Sequence, residues 1–155
     1  MFTVLARWLL GAMFLYLGLN KALHPVEFLK LARQYDLTQD PLLLNSIAAA
    51  LPWFEVFGGL LLLAGIAVRG TAFTLAVMLI PFTLLVLQRA LHLEAARNIP
   101  FCAVRFDCGC GSGEEFICRK LAENLVLLAL SLWLVIVGRG QQLSLRFKLF
   151  NPPAQ

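Results

Sequence analysis

The sequence predicts an all-α membrane protein: a four-transmembrane-helix bundle with a short interfacial helix and a cysteine-bearing extracytoplasmic loop. Three observations predict it. First, 60% of the 155 residues are hydrophobic and only 14% are charged, where a soluble domain carries about a quarter charged residues. A fold this small cannot hide so much apolar side chain inside itself, so lipid must cover part of it. Second, the apolar residues gather in four stretches, about 2–20, 41–66, 71–91 and 116–138, each near the ~20 residues that a span requires. Third, all four cysteines, Cys102, Cys108, Cys110 and Cys118, fall in the polar stretch 92–118 between the last two spans. Residues 1–155 read as a single domain.

The first stretch is broken only by Arg7. It competes with a signal peptide, but Asn20-Lys21-Ala22-Leu23-His24-Pro25 does not resemble a small-residue cleavage site and more apolar segments follow. We read it as a retained span. Pro25 suits the first position of a helix. Phe28, Leu29, Ala32 and Tyr35 then recur at helical spacing, with Glu27, Lys30, Arg33 and Asp36 mostly elsewhere on the wheel, so a short amphipathic helix lying in the interface is expected.

Asp40-Pro41 has the chemistry of a helix start, an acidic cap followed by proline in the first turn. The span that follows contains Pro52, where a kink is expected, and Gly58-Gly59, which would let a neighbouring helix approach closely. Arg69-Gly70 reads as the turn into the third span, which carries Pro81. Ser112-Gly113-Glu114-Glu115 matches a capping box and predicts that the last helix starts near Gly113. The basic tail 139–155 ends in Asn151-Pro152-Pro153 and reads as extended.

The net charge is +4, but the basic residues are scattered singly rather than interleaved with aromatics, which argues against nucleic acid. With four spans, one side holds Arg7, Arg69, Arg139, Arg146 and Lys148 without acidic residues. The other holds Lys21, Lys30, Arg33, Arg89, Arg97, Arg105, Arg119 and Lys120 together with eight acids. Counted strictly, the positive-inside rule is ambiguous; the unbalanced positive side favours cytoplasmic termini. The cysteine loop would then face a compartment where disulfides persist.

That loop is the first candidate site. A helix starting near Gly113 would place Cys110 at its N-terminus, where the dipole and the nearby Arg105, Arg119 and Lys120 favour the reactive thiolate. Cys108-Gly109-Cys110 can close a small ring, strained and readily reduced. Cys102 could then pair with Cys118, as a structural clamp or a second redox pair. Two purely structural disulfides, or a metal held by the four thiolates, are the competing readings; the spacings of five, one and seven intervening residues match no usual zinc knuckle.

The second candidate lies in the membrane. Glu55 stands about 14 residues into its span, and a carboxylate there must be neutral, paired or facing a cavity. Arg7 comes from the same membrane half of the first span and could reach it. The contact would either fix helix packing or serve a proton relay or polar ligand. Trp8, Trp53 and Trp133 read as packing or interface anchors, and His24 and His92 as solvated histidines near the interface.

Taken together, Arg7, Gly11, Gly18 and Lys21 ahead of His24-Pro25, the stretch Pro52-Trp53-Phe54-Glu55-Val56-Phe57-Gly58-Gly59-Leu60-Leu61-Leu62, and Cys108-Gly109-Cys110-Gly111 with the helix at 119–124 resemble the DoxX-like superfamily, and within it the MauE-type redox-associated membrane proteins. The second element is similar to a Pro-x-x-Glu-x-x-x-Gly-x-Leu pattern. The third is similar to a MauE-type Cys-Gly-Cys-Phe-Gly segment, except that no Phe stands between Cys110 and Gly111 here. The resemblance implies a four-helix bundle tied to thiol–disulfide chemistry outside the cytoplasm, and an association with maturation of the disulfide-rich methylamine dehydrogenase. The expected activity is that of a membrane thiol–disulfide oxidoreductase of the bacterial cytoplasmic membrane. Cys108 and Cys110 would exchange with a thioredoxin-like or cysteine-rich partner, and Cys102 and Cys118 would relay electrons or fix the loop. A membrane quinone would accept the electrons near Glu55, Arg7 and Trp53, and no metal is expected. The alternative is a non-catalytic subunit of a larger membrane redox complex, its loop held by structural disulfides.

Overall fold

The computed structural model describes residues 2–34, 40–107 and 114–138. Among the described residues, four helices are long and apolar enough to cross a membrane: α1 (Phe2–Leu23), α3 (Pro41–Ala64), α4 (Val68–Arg97) and α5 (Ile117–Val137). At most 39% of the most apolar window of any of them is buried inside the protein, so the remainder must meet lipid. Exposed Trp8, Phe54, Phe57, Phe73 and Ile136 supply that outer surface. The all-α membrane bundle expected from composition is the fold.

The short helix α2 (Pro25–Gln34) begins on Pro25 as expected, buries Phe28 and Ala32, and leaves Glu27, Lys30 and Arg33 exposed; Tyr35 and Asp36 lie outside the described residues. Asp40 caps α3 through a bond that its Oδ1 accepts from the Leu42 N–H at 2.9 Å. Both α3 and α4 run unbroken through their prolines, Pro52 and Pro81.

Helices α1 and α3 pack antiparallel at unusually close range, because glycines face each other. A Cβ on Gly59 would lie 2.7 Å from the Gly11 carbonyl oxygen, and one on Gly18 would lie 2.8 Å from the Pro52 oxygen. Backbone approach of this kind is how helices associate in lipid, where no hydrophobic drive separates helix from solvent. The central core then forms from Leu10 and Phe14 of α1, Leu62 of α3, Leu75 and Leu79 of α4, and Leu127 and Leu134 of α5. At one end of the bundle Phe2 meets Trp133 edge-on at 5.8 Å, and Arg69 Nε donates to the Val135 carbonyl at 2.7 Å. The start of α1, the α3–α4 turn and the end of α5 therefore share that end.

Two boundaries differ from expectation. The turn between α3 and α4 is Gly65-Ile66-Ala67 rather than Arg69-Gly70, which belong to the first turn of α4. Gly65 adopts the left-handed conformation at φ 75° and closes α3, with Ile66 N–H bonded back to Leu61 O at 2.9 Å. That is the standard glycine stop, and it acts one turn earlier than the charged pair. The last helix starts at Ile117, not near Gly113. Glu114–Phe116 form a strand (β2) paired antiparallel with Arg105–Asp107 (β1). Strand pairing supplies partners for the backbone groups that a capping box would otherwise have had to satisfy. Ser112 and Gly113, like the tail 139–155, lie outside the described residues.

Candidate functional site

The end of the bundle opposite Arg69 carries the hairpin. After α4 the chain makes a 3₁₀ turn, Phe101–Ala103, then β1, then β2 and directly α5. Val104 and Ile117 continue the strand pairing through an Ile117 N–H bond to Val104 O at 3.1 Å. Both side chains are buried against Val86 and Ala90 of α4. Just below this pair, Cys102, two residues before Val104, and Cys118, the residue after Ile117, form a disulfide with Cα atoms 5.1 Å apart. This bond ties the base of the hairpin to the first turn of α5. On the hairpin's outer side the Arg105 guanidinium stacks 3.8 Å from the centre of the Phe116 ring, a cation–π contact that stiffens the arm.

Cys108-Gly109-Cys110 stands on the connection between β1 and β2 and lies outside the described residues. The later start of α5 removes one sequence argument: Cys110 does not immediately precede the helix. It is Cys118 that occupies the first turn. The bond between Cys102 and Cys118 also excludes a metal held by all four thiolates, since such a site needs each sulfur free to coordinate.

Directly beneath the hairpin lies a cluster of buried charge. Lys21 of α1 donates to both carboxylate oxygens of Glu55, at 2.6 and 2.8 Å, and the two residues are only 4% and 8% exposed. The Lys21 ammonium also lies 5.6 Å from the Phe28 ring of α2 and 5.2 Å from the Phe82 ring of α4. One side chain thus joins four helices. Across from it, α5 contributes Lys120 and Asn124, 4% and 3% exposed. Lys120 Nζ sits 3.4 Å from Glu123 and 3.9 Å from Glu115, and Glu115 belongs to β2. Lys21, Glu55, Lys120 and Asn124 share the wall of one small cavity of about 20 Å³. The hairpin and the charge cluster are therefore physically continuous through Lys120.

The partner of Glu55 is Lys21 and not Arg7. The sequence put Arg7 and Glu55 in the same membrane half, but the glycine contacts set a register that separates them. Gly18 packs against Pro52, Glu55 and Val56, whereas Gly11 already meets Gly59, and Arg7 lies beyond it. Arg7 is buried four residues past Gly11, toward the Arg69 end of the bundle. The first turns of α3 extend past the end of α1 and pack beside α2. Glu55 consequently lies only about 8 Å below the end of α1, taking 1.5 Å per residue from Gly18 to Leu23. Trp53 points away from the cluster: it is 52% exposed, and its ring meets Phe57 at 6.3 Å on the outer face of α3. His24 and His92 are exposed.

The sequence places Lys120 beside the cysteines and Asn124 at the end of the 119–124 helix, but links neither to Glu55, and it does not single out Phe82. A signal was present for the first two. Lys120, Asn124, Leu127, Ser131 and Leu134 follow one another at intervals of four and three and form the buried face of α5. A polar stripe on an otherwise apolar span marks the side that faces protein rather than lipid.

The cavity admits a species of about water's size, since a water needs roughly 10–15 Å³ by the same measure. No curated protein and no solved structure matches the chain. The family model described as Methylamine utilisation protein MauE matches residues 1–137, spanning the glycine-packed helices, the Lys21–Glu55 pair, the clamped hairpin and α5, and the chain belongs to that family.

Proposed function

We propose that this protein is a membrane-anchored thiol–disulfide exchange factor whose hairpin presents Cys108 and Cys110 to extracytoplasmic proteins. The observation that carries the reading is the division of labour among the cysteines. Cys102–Cys118 clamps the base of the hairpin, which leaves Cys108 and Cys110 on its connecting segment as the remaining pair. In the exchange, a client or thioredoxin-like thiolate attacks the Cys108–Cys110 disulfide and forms a mixed disulfide. A second client thiolate resolves it, so the client gains a disulfide and the pair becomes a dithiol. Two electrons and two protons pass to the protein. The family's link to maturation of methylamine dehydrogenase supports a client rich in disulfides.

Reoxidation calls for an electron acceptor, and we assign it to the quinone class. It would meet the protein at its lipid-facing surface, given the small cavity beside Glu55. The resemblance to the DoxX-like superfamily supports the same setting. The hairpin side is assigned to the exterior of the bacterial cytoplasmic membrane, with the Arg69 turn and both termini in the cytoplasm. Trapping tests the exchange: Cys110→Ser or Cys108→Ser should accumulate a mixed disulfide with a client that the double variant cannot form. Absence of any trapped species from either single variant would refute it.

A second reading has one observation in its favour. A disulfide at the base of a hairpin is what a purely structural arm would also carry, so the chain could serve as a non-catalytic subunit of a membrane redox complex. In that case Cys108 and Cys110 would resist reduction alongside Cys102–Cys118.

A further inference from the structure

Asn124 is 3% exposed, and its Nδ2 has no hydrogen-bond partner among the described residues. Its side chain lines the same cavity of about 20 Å³ as Glu55, Lys21 and Lys120. An orphaned amide donor buried this deeply is costly, and native proteins seldom leave one unpaired. Glu55 supplies the complementary need. Its two oxygens offer about four acceptor positions, and Lys21 occupies two of them.

We propose that the cavity is a binding site for one internal water molecule, which accepts from Asn124 Nδ2–H and donates to the Glu55 carboxylate. The size is right for a single water, and the site offers the two to four polar partners that a buried water needs. The charge balance selects a neutral ligand over a small anion of similar size. Lys21 is paired with Glu55, Lys120 with Glu115 and Glu123, and Arg119 with Glu123. A halide would add an uncompensated charge at a buried position.

The water has a consequence for the bundle. It joins the α1–α3 ion pair to α5 by hydrogen bonds, and Lys120 beside it faces Glu115 of β2 at 3.9 Å. Glu55, walled in by Phe82 and Met78, thereby gains an exchangeable contact leading toward the hairpin. The assignment rests on the bundle alone and stands or falls independently of whether the cysteines exchange.

The test is a crystal structure of the full chain grown in bromide, with Asn124→Leu in parallel. A single solvent peak within hydrogen-bond distance of Asn124 Nδ2 and a Glu55 oxygen, without anomalous signal, is the expected result. An anomalous bromide peak, or no density there, overturns the proposal. Thermal unfolding of Asn124→Leu in detergent gives an independent sign. Displacing a bridging water should lower Tm by about 2–4 °C, whereas removing an orphaned amide from a dry cavity should raise it. Should the variant fail to fold, infrared difference spectra of the wild-type protein in water and ¹⁸O-water decide the matter. An isotope-shifted band from a buried O–H group supports the site, and its absence refutes it.

Discussion

Lys21 and Glu55 are paired at 2.6 Å in a setting that excludes solvent, and the energetic weight of such a pair shows when only one partner is removed. Lys21→Met leaves a carboxylate without its cation and should destabilise the bundle by about 3–5 kcal/mol. The double variant Lys21→Met, Glu55→Met replaces both charges with apolar side chains and should recover most of that loss. Denaturant titration in mild detergent would measure both values, and additive losses would contradict the pairing. The sequence made Glu55 conspicuous but not its partner. A lone carboxylate inside an apolar run must be compensated, whereas the choice between Arg7 and Lys21 depends on helix register. Register was set by contacts between Gly11 and Gly59 and between Gly18 and Pro52, which no count from helix ends reproduces. Asn124 and Lys120 were likewise present as a polar stripe, but the stripe acquires meaning only when α5 is seen to face Glu55.

The helices themselves were the most legible part of the chain, because span length and cap chemistry are local properties. Asp40-Pro41 opens α3 and Pro25 opens α2, as their side chains dictate. The boundaries that shifted are those decided by non-local partners. Glu114–Phe116 had a plausible helical cap but found β1 instead. Two predictions belong to these elements. Gly59→Ala should destabilise the α1–α3 contact by about 1–3 kcal/mol, because its Cβ would meet backbone atoms 2.7 Å away that cannot give. Gly70→Ala is the control: nothing lies within 4 Å of the new methyl group, and removing a helical glycine should add up to about 1 kcal/mol. The same unfolding titration separates them. For the hairpin, Cys102→Ser opens a loop of sequence separation 16, a constraint worth about 3 kcal/mol by loop-closure entropy. Hydrogen exchange should accelerate in 101–107 and 114–118 while the Leu10, Leu75 and Leu127 core stays protected. Uniform acceleration throughout would mean that the disulfide holds the bundle rather than the arm.

At the scale of the molecule, one end holds Phe2, the Gly65–Ala67 turn and Val137, and the other holds α2, the charge cluster and the clamped hairpin. The assignment of sides places the first end in the cytoplasm. A cysteine introduced at exposed Gly70 should react with a membrane-impermeant maleimide only in inverted vesicles, while a tag inserted in the hairpin connection should be reached from outside intact spheroplasts. The opposite labelling would reverse the orientation and remove the hairpin from an oxidising compartment. The central claim, that the hairpin exchanges disulfides while its base stays locked, is tested most directly by redox titration of the purified protein in mild detergent, with the disulfides mapped by mass spectrometry. Cys108–Cys110 should reduce within the range of known disulfide carriers, about −120 to −230 mV, with Cys102–Cys118 still oxidised at about −300 mV. If both bonds persist together to the more negative potential, the hairpin is a structural arm and the exchange function is wrong.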